Sequence, residues 1–324
     1  MPLFRRAVLL GALSSGLAPE ARSSEPVAVR VGVLRFGTVA WELDVISRRG
    51  FDRAHGIVIQ PREFAAAQAT QVALQAGAVD VTAQDWLWVA RQRADGADFT
   101  FATFSTAIGA VVAPPGSPVR ALADLPGRRL GIAGSPLDKS WLILRAYAQR
   151  TLGVDLDRAV EKEFGPPPLL AEQAAAGRLD AVLTFWTFAA RAEAAGARRV
   201  LAIEDAVRGL GIEDEMPVAG YVFSAGWAAA GGAAAGLLAA SADARAVLAS
   251  DDAEWDAIAP LLGAADAAER AHLMDAYRAG IPRASEAGHA AAAARLFAVL
   301  AAIGGAALVG TATSLPPGTF WQAP

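Results

Sequence analysis

Between Val27 and Ser224, strand-like apolar runs alternate with stretches of helical spacing, and this order constrains the 324-residue chain more than any other feature. Such alternation calls for a mostly parallel sheet faced by helices, an α/β architecture. Val27–Leu34, Gly56–Arg62 and Gly77–Thr82 read as strands, and Val39–Arg49, Gln68–Ala76 and Asp85–Arg93 as the helices between them. Two extended pieces follow in Phe99–Ala113, around Ser105-Thr106. The pattern then breaks at Pro114-Pro115-Gly116-Ser117-Pro118 and restarts, with strands at Arg129–Ala133 and Ala181–Phe185 and helices at Pro136–Arg150 and Leu169–Ala176. Met216–Ser224 reads as a strand leading out of this segment, and the rest is helical and alanine-rich. The expectation is two α/β lobes with a central cleft and two crossings between them. Residues 24–112 and 218–324 form the first lobe and 113–217 the second. No repeat of solenoid period is visible.

Hydrophobic residues make up 54% of the chain and the mean hydropathy is +0.33, so membrane spans have to be considered. The first apolar run, Ala7–Ala18, follows Arg5-Arg6 and precedes Ala21-Arg22-Ser23-Ser24. It is shorter than the roughly 20 residues a bilayer requires and has the three-part form of an export signal. Residues 1–23 are therefore expected to be a signal peptide. Arg5-Arg6-Ala7-Val8-Leu9 also resembles a twin-arginine signal, so both the Sec and Tat routes stay open. The second run, Ala290–Gly310, is interrupted by Arg295 and Gly304-Gly305, which suits a buried helix followed by a short strand. The chain has no cysteine, which excludes disulfides, thiolate metal sites, cysteine nucleophiles and a lipidated N-terminal cysteine. A net charge of −4 gives no reason to expect nucleic acid or an acidic membrane surface as partner.

Four segments together resemble the substrate-binding proteins of ABC importers for nitrate, taurine and alkanesulfonates. They are Gly77-Ala78-Val79-Asp80-Val81; Gly116-Ser117-Pro118-Val119 continued by Leu122-Ala123-Asp124-Leu125-Pro126-Gly127-Arg128-Arg129-Leu130-Gly131; Gly134-Ser135; and Gly177-Arg178-Leu179-Asp180-Ala181-Val182 followed by Phe185-Trp186-Thr187-Phe188. The likeness runs from Val27 to Leu201. It implies a periplasmic binding-protein fold of type II, capture of a small-molecule ligand by hinge closure, and delivery to a membrane permease with its ATPase. A monomer in the periplasm is expected with it, and the missing cysteine leaves no site for a lipid anchor.

In open α/β sheets ligands lie beyond the carboxyl ends of strands, at helix N-termini. Four such junctions can be placed. The first is Phe36-Gly37-Thr38 leading to Trp41 and Glu42, and the second is Gln84-Asp85-Trp86 with Trp88 beyond. In the third, Ser135 is expected to cap a helix that carries Pro136 at its first position, Asp138 in a capping box, and then Lys139, Ser140 and Trp141. The fourth is Phe185-Trp186-Thr187-Phe188. A helix N-terminus offers free N–H donors to an anion, and Lys139 adds a charge in a chain whose only other lysine is Lys162. Indole rings suit amine or heterocyclic ligands, and Trp41, Trp86 and Trp186 are expected near the cleft. Glu42 and Asp85 either complement helix dipoles or hold an ammonium, and an aminosulfonate would use both kinds of group. Gln84, Ser105, Thr106 and Tyr221 are further candidates for hydrogen bonds, and Gly165-Pro166-Pro167-Pro168 is read as a loop stiffener.

A pyrimidine-forming enzyme of thiamine biosynthesis also resembles this family, but its chemistry needs a cysteine-rich segment that is missing here. His55, His272 and His289 do not fall at a junction, no Gly-x-Ser-x-Gly elbow occurs, and no metal-ligand spacing is present. The expectation is a non-enzymatic solute-binding protein without cofactor or metal. Its ligand would be an aminosulfonate, an alkanesulfonate or a related organic acid. A nitrogenous heterocycle such as a thiamine pyrimidine precursor, or a periplasmic accessory role without transport, are the alternatives.

Overall fold

The computed structural model describes residues 25–35 and 37–322; the expected signal segment and Phe36 of the first junction lie outside the described residues. Among the described residues, ten strands form two five-stranded sheets. The first contains β1 (Val27–Leu34), β2 (Ile57–Phe64), β3 (Val81–Gln84), β4 (Phe99–Ser105) and β10 (Ala219–Ser224), in the order β2-β1-β3-β10-β4. The second contains β5 (Ala110–Ala113), β6 (Arg129–Ala133), β7 (Glu161–Gly165), β8 (Ala181–Thr184) and β9 (Arg198–Ala202), in the order β7-β6-β8-β5-β9. β1 runs parallel to β2, in register from Val27↔Ile57 to Leu34↔Phe64, and parallel to β3. β6 is parallel to β7 and β8 in the same way. In each sheet one antiparallel strand is supplied by the other half of the chain: β10 between β3 and β4, and β5 between β8 and β9. These two strands are the crossings.

The outward crossing comes earlier than the sequence suggests. β5 already pairs within the second sheet, so the chain changes lobes at residues 106–109, ahead of the proline-rich turn. Gly109 sits there against β8, where a Cβ would come within 1.7 Å of the Thr184 carbonyl oxygen. The return falls between helix Ile203–Gly209 and β10.

The shared topology has a trace in the sequence at a spacing of 100 residues. Gly77, Asp80, Trp86, Arg91 and Gly96 recur as Gly177, Asp180, Trp186, Arg191 and Gly196. Each copy folds as a four-residue strand followed by a nine-residue helix, Trp86–Ala94 or Trp186–Ala194. Asp80 accepts hydrogen bonds from the backbone N–H of Arg30 at 2.8 Å and from its guanidinium at 2.6 and 3.0 Å. Asp180 receives the same three donors from Arg129, at 2.9–3.2 Å. The Gly-x-x-Asp motif is thus a clasp that ties the loop before a central strand to the neighbouring parallel strand. The spacing is far longer than a solenoid period, so a search for short repeats passes over it.

Behind Ser224 the chain is helical. Among the described residues, two helices are long and apolar enough to cross a membrane, Ala233–Ser250 and Glu286–Ile303. Ala233–Ser250 packs Leu237, Ala240, Ala244 and Leu248 into the core of the first lobe. The other, part of helix Glu286–Gly304, places Leu296, Phe297 and Leu300 in a core that continues into the second lobe around Trp141 and Leu142. A four-residue helix, Ala306–Val309, stands where a strand was expected, because Gly305 restarts the helix after a turn of positive φ.

Candidate functional site

The carboxyl ends of the two sheets face each other across a cavity of about 270 Å³ lined by residues from both lobes. Thr38, Gln84, Asp85 and Ser105 line it from the first lobe, and Asp138, Lys139, Ser140 and Trp186 from the second. Trp41, Glu42, Trp86, Ser135, Trp141 and Tyr221 do not line it. Gly32, Leu34, Phe104, Phe185 and Thr187 also form its wall. Leu34 and Phe104 give no sequence signal for this, because an apolar residue at a strand end reads as core.

The third junction differs from its expected geometry. The helix starts at Lys139 rather than Pro136, and its N-cap is Asp138, whose carboxylate accepts from the N–H of Ser140 at 2.9 Å and of Trp141 at 3.4 Å. Ser135 instead caps a turn, accepting from the N–H of Leu137 at 3.2 Å. Gly134, at φ +97°, makes room for this: its added Cβ would lie 3.0 Å from Asp138 Oδ2. The N–H donors read as a free anion site are therefore partly taken by the chain's own carboxylate. Burial and neighbouring Asp85 push the Asp138 carboxyl up to about 6, against the pull of its two N–H donors and of Lys139.

Lys139 is 4% exposed. Its Nζ donates to the Val218 carbonyl oxygen at 2.8 Å, lies 3.1 Å from Asp85 Oδ2, and stands 5.5 Å from the centroid of the Trp86 ring. Asp85 is itself an N-cap, accepting from the N–H of Leu87 at 2.6 Å. One ammonium from the second lobe thus meets one carboxylate from the first, with a second carboxylate, Asp138, alongside. Gln84 is engaged with Gln71 and Thr70 at 2.9 and 2.8 Å, and the Ser105 hydroxyl accepts from the Ala107 N–H at 3.1 Å. Thr38 precedes helix Val39–Arg49 and makes no side-chain cap.

Of the tryptophans expected at the junctions, Trp186 lines the cavity, and Trp41, Trp86, Trp88 and Trp141 do not. Trp41 meets Trp186 edge-on at 5.9 Å between centroids and donates to the Leu261 carbonyl oxygen at 3.3 Å. Trp86 is fully buried and donates to the Pro217 carbonyl oxygen at 3.0 Å. Trp141 packs edge-on against Phe164 in the core of the second lobe. Glu42 and Tyr221 form a buried cluster inside the first lobe: the Glu42 carboxylate accepts from Tyr277 at 2.5 Å, Ser241 at 2.6 Å and Tyr221 at 3.5 Å, with Arg245 3.7 Å away. Burial raises the Glu42 carboxyl above its usual range, and these partners hold it down. It ties helix Val39–Arg49 to β10 and to helices Ala233–Ser250 and Ala267–Ala279. The Gly165–Pro168 loop opens helix Pro167–Ala175, and Pro168 faces a separate groove on the second lobe.

No family model matches the chain, and no curated protein matches it by sequence. Solved structures do match its fold. The periplasmic aliphatic sulphonate binding protein SsuA from Escherichia coli superposes with a TM-score of 0.71 at 20% identity, covering 92% of each chain. The alkanesulfonate-binding protein SsuA from Xanthomonas axonopodis pv. citri, bound to MOPS, gives 0.70 at 21% identity, over 93% of this chain and all of that one. The periplasmic nitrate-binding protein NrtA from Synechocystis PCC 6803 gives 0.57 at 14% identity, over 78% of this chain and 70% of that one. The fold is thus the two-lobed periplasmic binding-protein fold that the sequence motifs implied.

Proposed function

We propose that the protein is an extracytoplasmic solute-binding protein that closes its two lobes on a small polar organic acid and passes it to an ABC importer. The observation that carries this reading is the cavity between the carboxyl ends of two sheets joined by paired crossing strands, the place where open α/β sheets take their ligands. The fold likeness to sulfonate- and nitrate-binding proteins supports the same role. About 270 Å³ accommodates a molecule of only a few heavy atoms beyond an acidic head. Lys139 supplies positive charge for that head, while Asp85 and Asp138 supply negative charge for a cationic end, so an aminosulfonate fits the charge pattern. Phe104, Phe185 and Trp186 on the wall favour, as a second reading, a nitrogenous ring.

A thermal-shift screen over aminosulfonates, alkanesulfonates, small carboxylates and pyrimidine amines tests this reading. A ligand that binds only the folded state raises the melting temperature, by about 2.7 kcal/mol of stabilisation at a hundredfold excess over Kd. A cognate sulfonate is expected to give the largest shift. If the pyrimidine amines alone shift the melting temperature, the ring reading replaces it; if no compound does, solute capture in this cleft is excluded for these classes.

A further inference from the structure

An ammonium in the first turn of a helix is misplaced with respect to the helix dipole, whose positive end lies there. Lys139 occupies that position and is also nearly inaccessible, so partners other than its own helix must hold it. Those partners come from the opposite lobe. Asp85 follows β3 and Val218 precedes β10, both in the first sheet, whereas Lys139 follows β6 in the second. Trp86, whose ring lies beside the ammonium, is fixed to Pro217, the residue before Val218. The lysine contact therefore converges on the cleft wall and the return crossing together. The other charged groups acting on Asp85 are Asp138, beside it in the cleft, and Arg91 on its own helix.

We infer that Asp85 is a specificity-determining residue of the cleft: it is an internal counter-ion to Lys139, and a ligand binds by exchanging with it across the lobes. An acidic head entering the cavity meets a matched pair rather than a bare cation. A simple monoanion displaces Asp85 and leaves a carboxylate without its partner in a partly buried site, which opposes binding. A ligand that brings its own ammonium supplies the displaced carboxylate with a new partner. The cleft accordingly selects molecules that carry both charges over plain anions of the same shape. This rests on the solute-binding reading above, and it names the residue that sets the charge requirement.

The test uses Asp85→Asn, which keeps an N-cap side chain for Leu87. The chain has two lysines, so amine acylation followed by mass spectrometry reads Lys139 against Lys162 as internal reference. Their side chains are 3% and 24% exposed. In the wild-type protein Lys139 is expected to be acylated far more slowly than Lys162, and Asp85→Asn to accelerate Lys139 alone, by about fivefold or more for a contact of this kind. An unchanged Lys139 rate in a variant that still melts cooperatively overturns the inference, whatever the ligand. Calorimetry with taurine and its uncharged-end isostere 1-propanesulfonate reads the second half. The wild type is expected to prefer taurine, and Asp85→Asn to tighten 1-propanesulfonate by about tenfold while taurine weakens. Equal shifts for both compounds contradict the exchange. If neither compound binds the wild type, the sulfonate reading fails, and the acylation rates still decide whether Asp85 holds Lys139.

Discussion

Asp138 shows how a single side chain can change what a helix end offers. Its carboxylate satisfies the N–H groups of Ser140 and Trp141 and at the same time faces Asp85, so its proton is held up to about pH 6. The sign of the resulting pH effect follows from linkage. The unfolded chain releases this proton near pH 4 and the folded one near 6, so the stability contributed by Asp138 is greatest below pH 4 and is lost as pH rises through that window. Asp138→Asn keeps the cap and removes the charge. It is expected to match the wild type in melting temperature at pH 4 and to exceed it at pH 7.5, as measured by calorimetric melts across that range. A wild type that gains on the variant as pH rises would contradict the raised titration of the folded carboxyl. The sequence marked Asp138 and Lys139 as worth attention because caps and lone lysines are visible in one dimension. It could not show that Asp85, 54 positions from Lys139 and 53 from Asp138, is the counter-charge of the one and a like charge to the other.

At the scale of elements, the paired clasps at Asp80 and Asp180 are the clearest link between a motif and its physics. Each carboxylate is held below the usual range by its arginine and by a backbone N–H, and each fixes the loop before a central strand. Asp80→Asn keeps the shape and loses the charge-assisted bonds, so it is expected to cost about 1–2 kcal/mol at pH 7. The folded carboxyl titrates below the unfolded one, so this cost should start to shrink as pH falls below about 4 and disappear only once pH has passed the lower, folded value; urea titrations at pH 7 and at successive pH values below 4 check both points. Of the strands next to these clasps, β1, β6 and β8 were legible in the sequence as apolar-rich runs, whereas β3, Val-Thr-Ala-Gln, was expected at Gly77–Thr82 and lies at Val81–Gln84. The edge strands β7, Glu-Lys-Glu-Phe-Gly, and β9, Arg-Arg-Val-Leu-Ala, were not read as strands. Charges at a sheet edge discourage pairing with other chains, and the same charges hide the strand from a search for apolar runs.

The molecule as a whole is two lobes by topology but not by packing. One hydrophobic cluster runs from Trp86 and Phe101 in the first lobe, through helix Glu286–Gly304, to Trp141 and Leu142 in the second. Arg191 reaches from the second lobe to Glu269 and to the Leu262 and Gly263 carbonyl oxygens. A shared core of this kind predicts one calorimetric unfolding transition, whereas two resolved transitions would mean that the lobes fold independently. The outward crossing is the tight point. Gly109→Ala would drive a Cβ into the Thr184 carbonyl, and overpacking of this sort costs about 1–3 kcal/mol or more. A lowered melting temperature with the single transition retained is the expected result, and an unchanged one would place the crossing farther from β8.

By itself the sequence determined the α/β class, the two-lobe plan and the neighbourhood of each strand-to-helix junction, because strand and helix periodicities are local properties; the choice between Ser135 and Asp138 as the cap of the third helix was not among them. Tertiary structure decided which junction residues reach the cleft. Trp86 and Trp186 occupy the same place in the 100-residue repeat, yet one is buried beneath Lys139 and the other lines the cavity. The physical reason is that exposure is a property of what packs over a side chain. Pro217 and Val218 of the return crossing close over Trp86, while helix Ala267–Ala279 and Trp41 lie behind Trp186 and leave its face to the cleft.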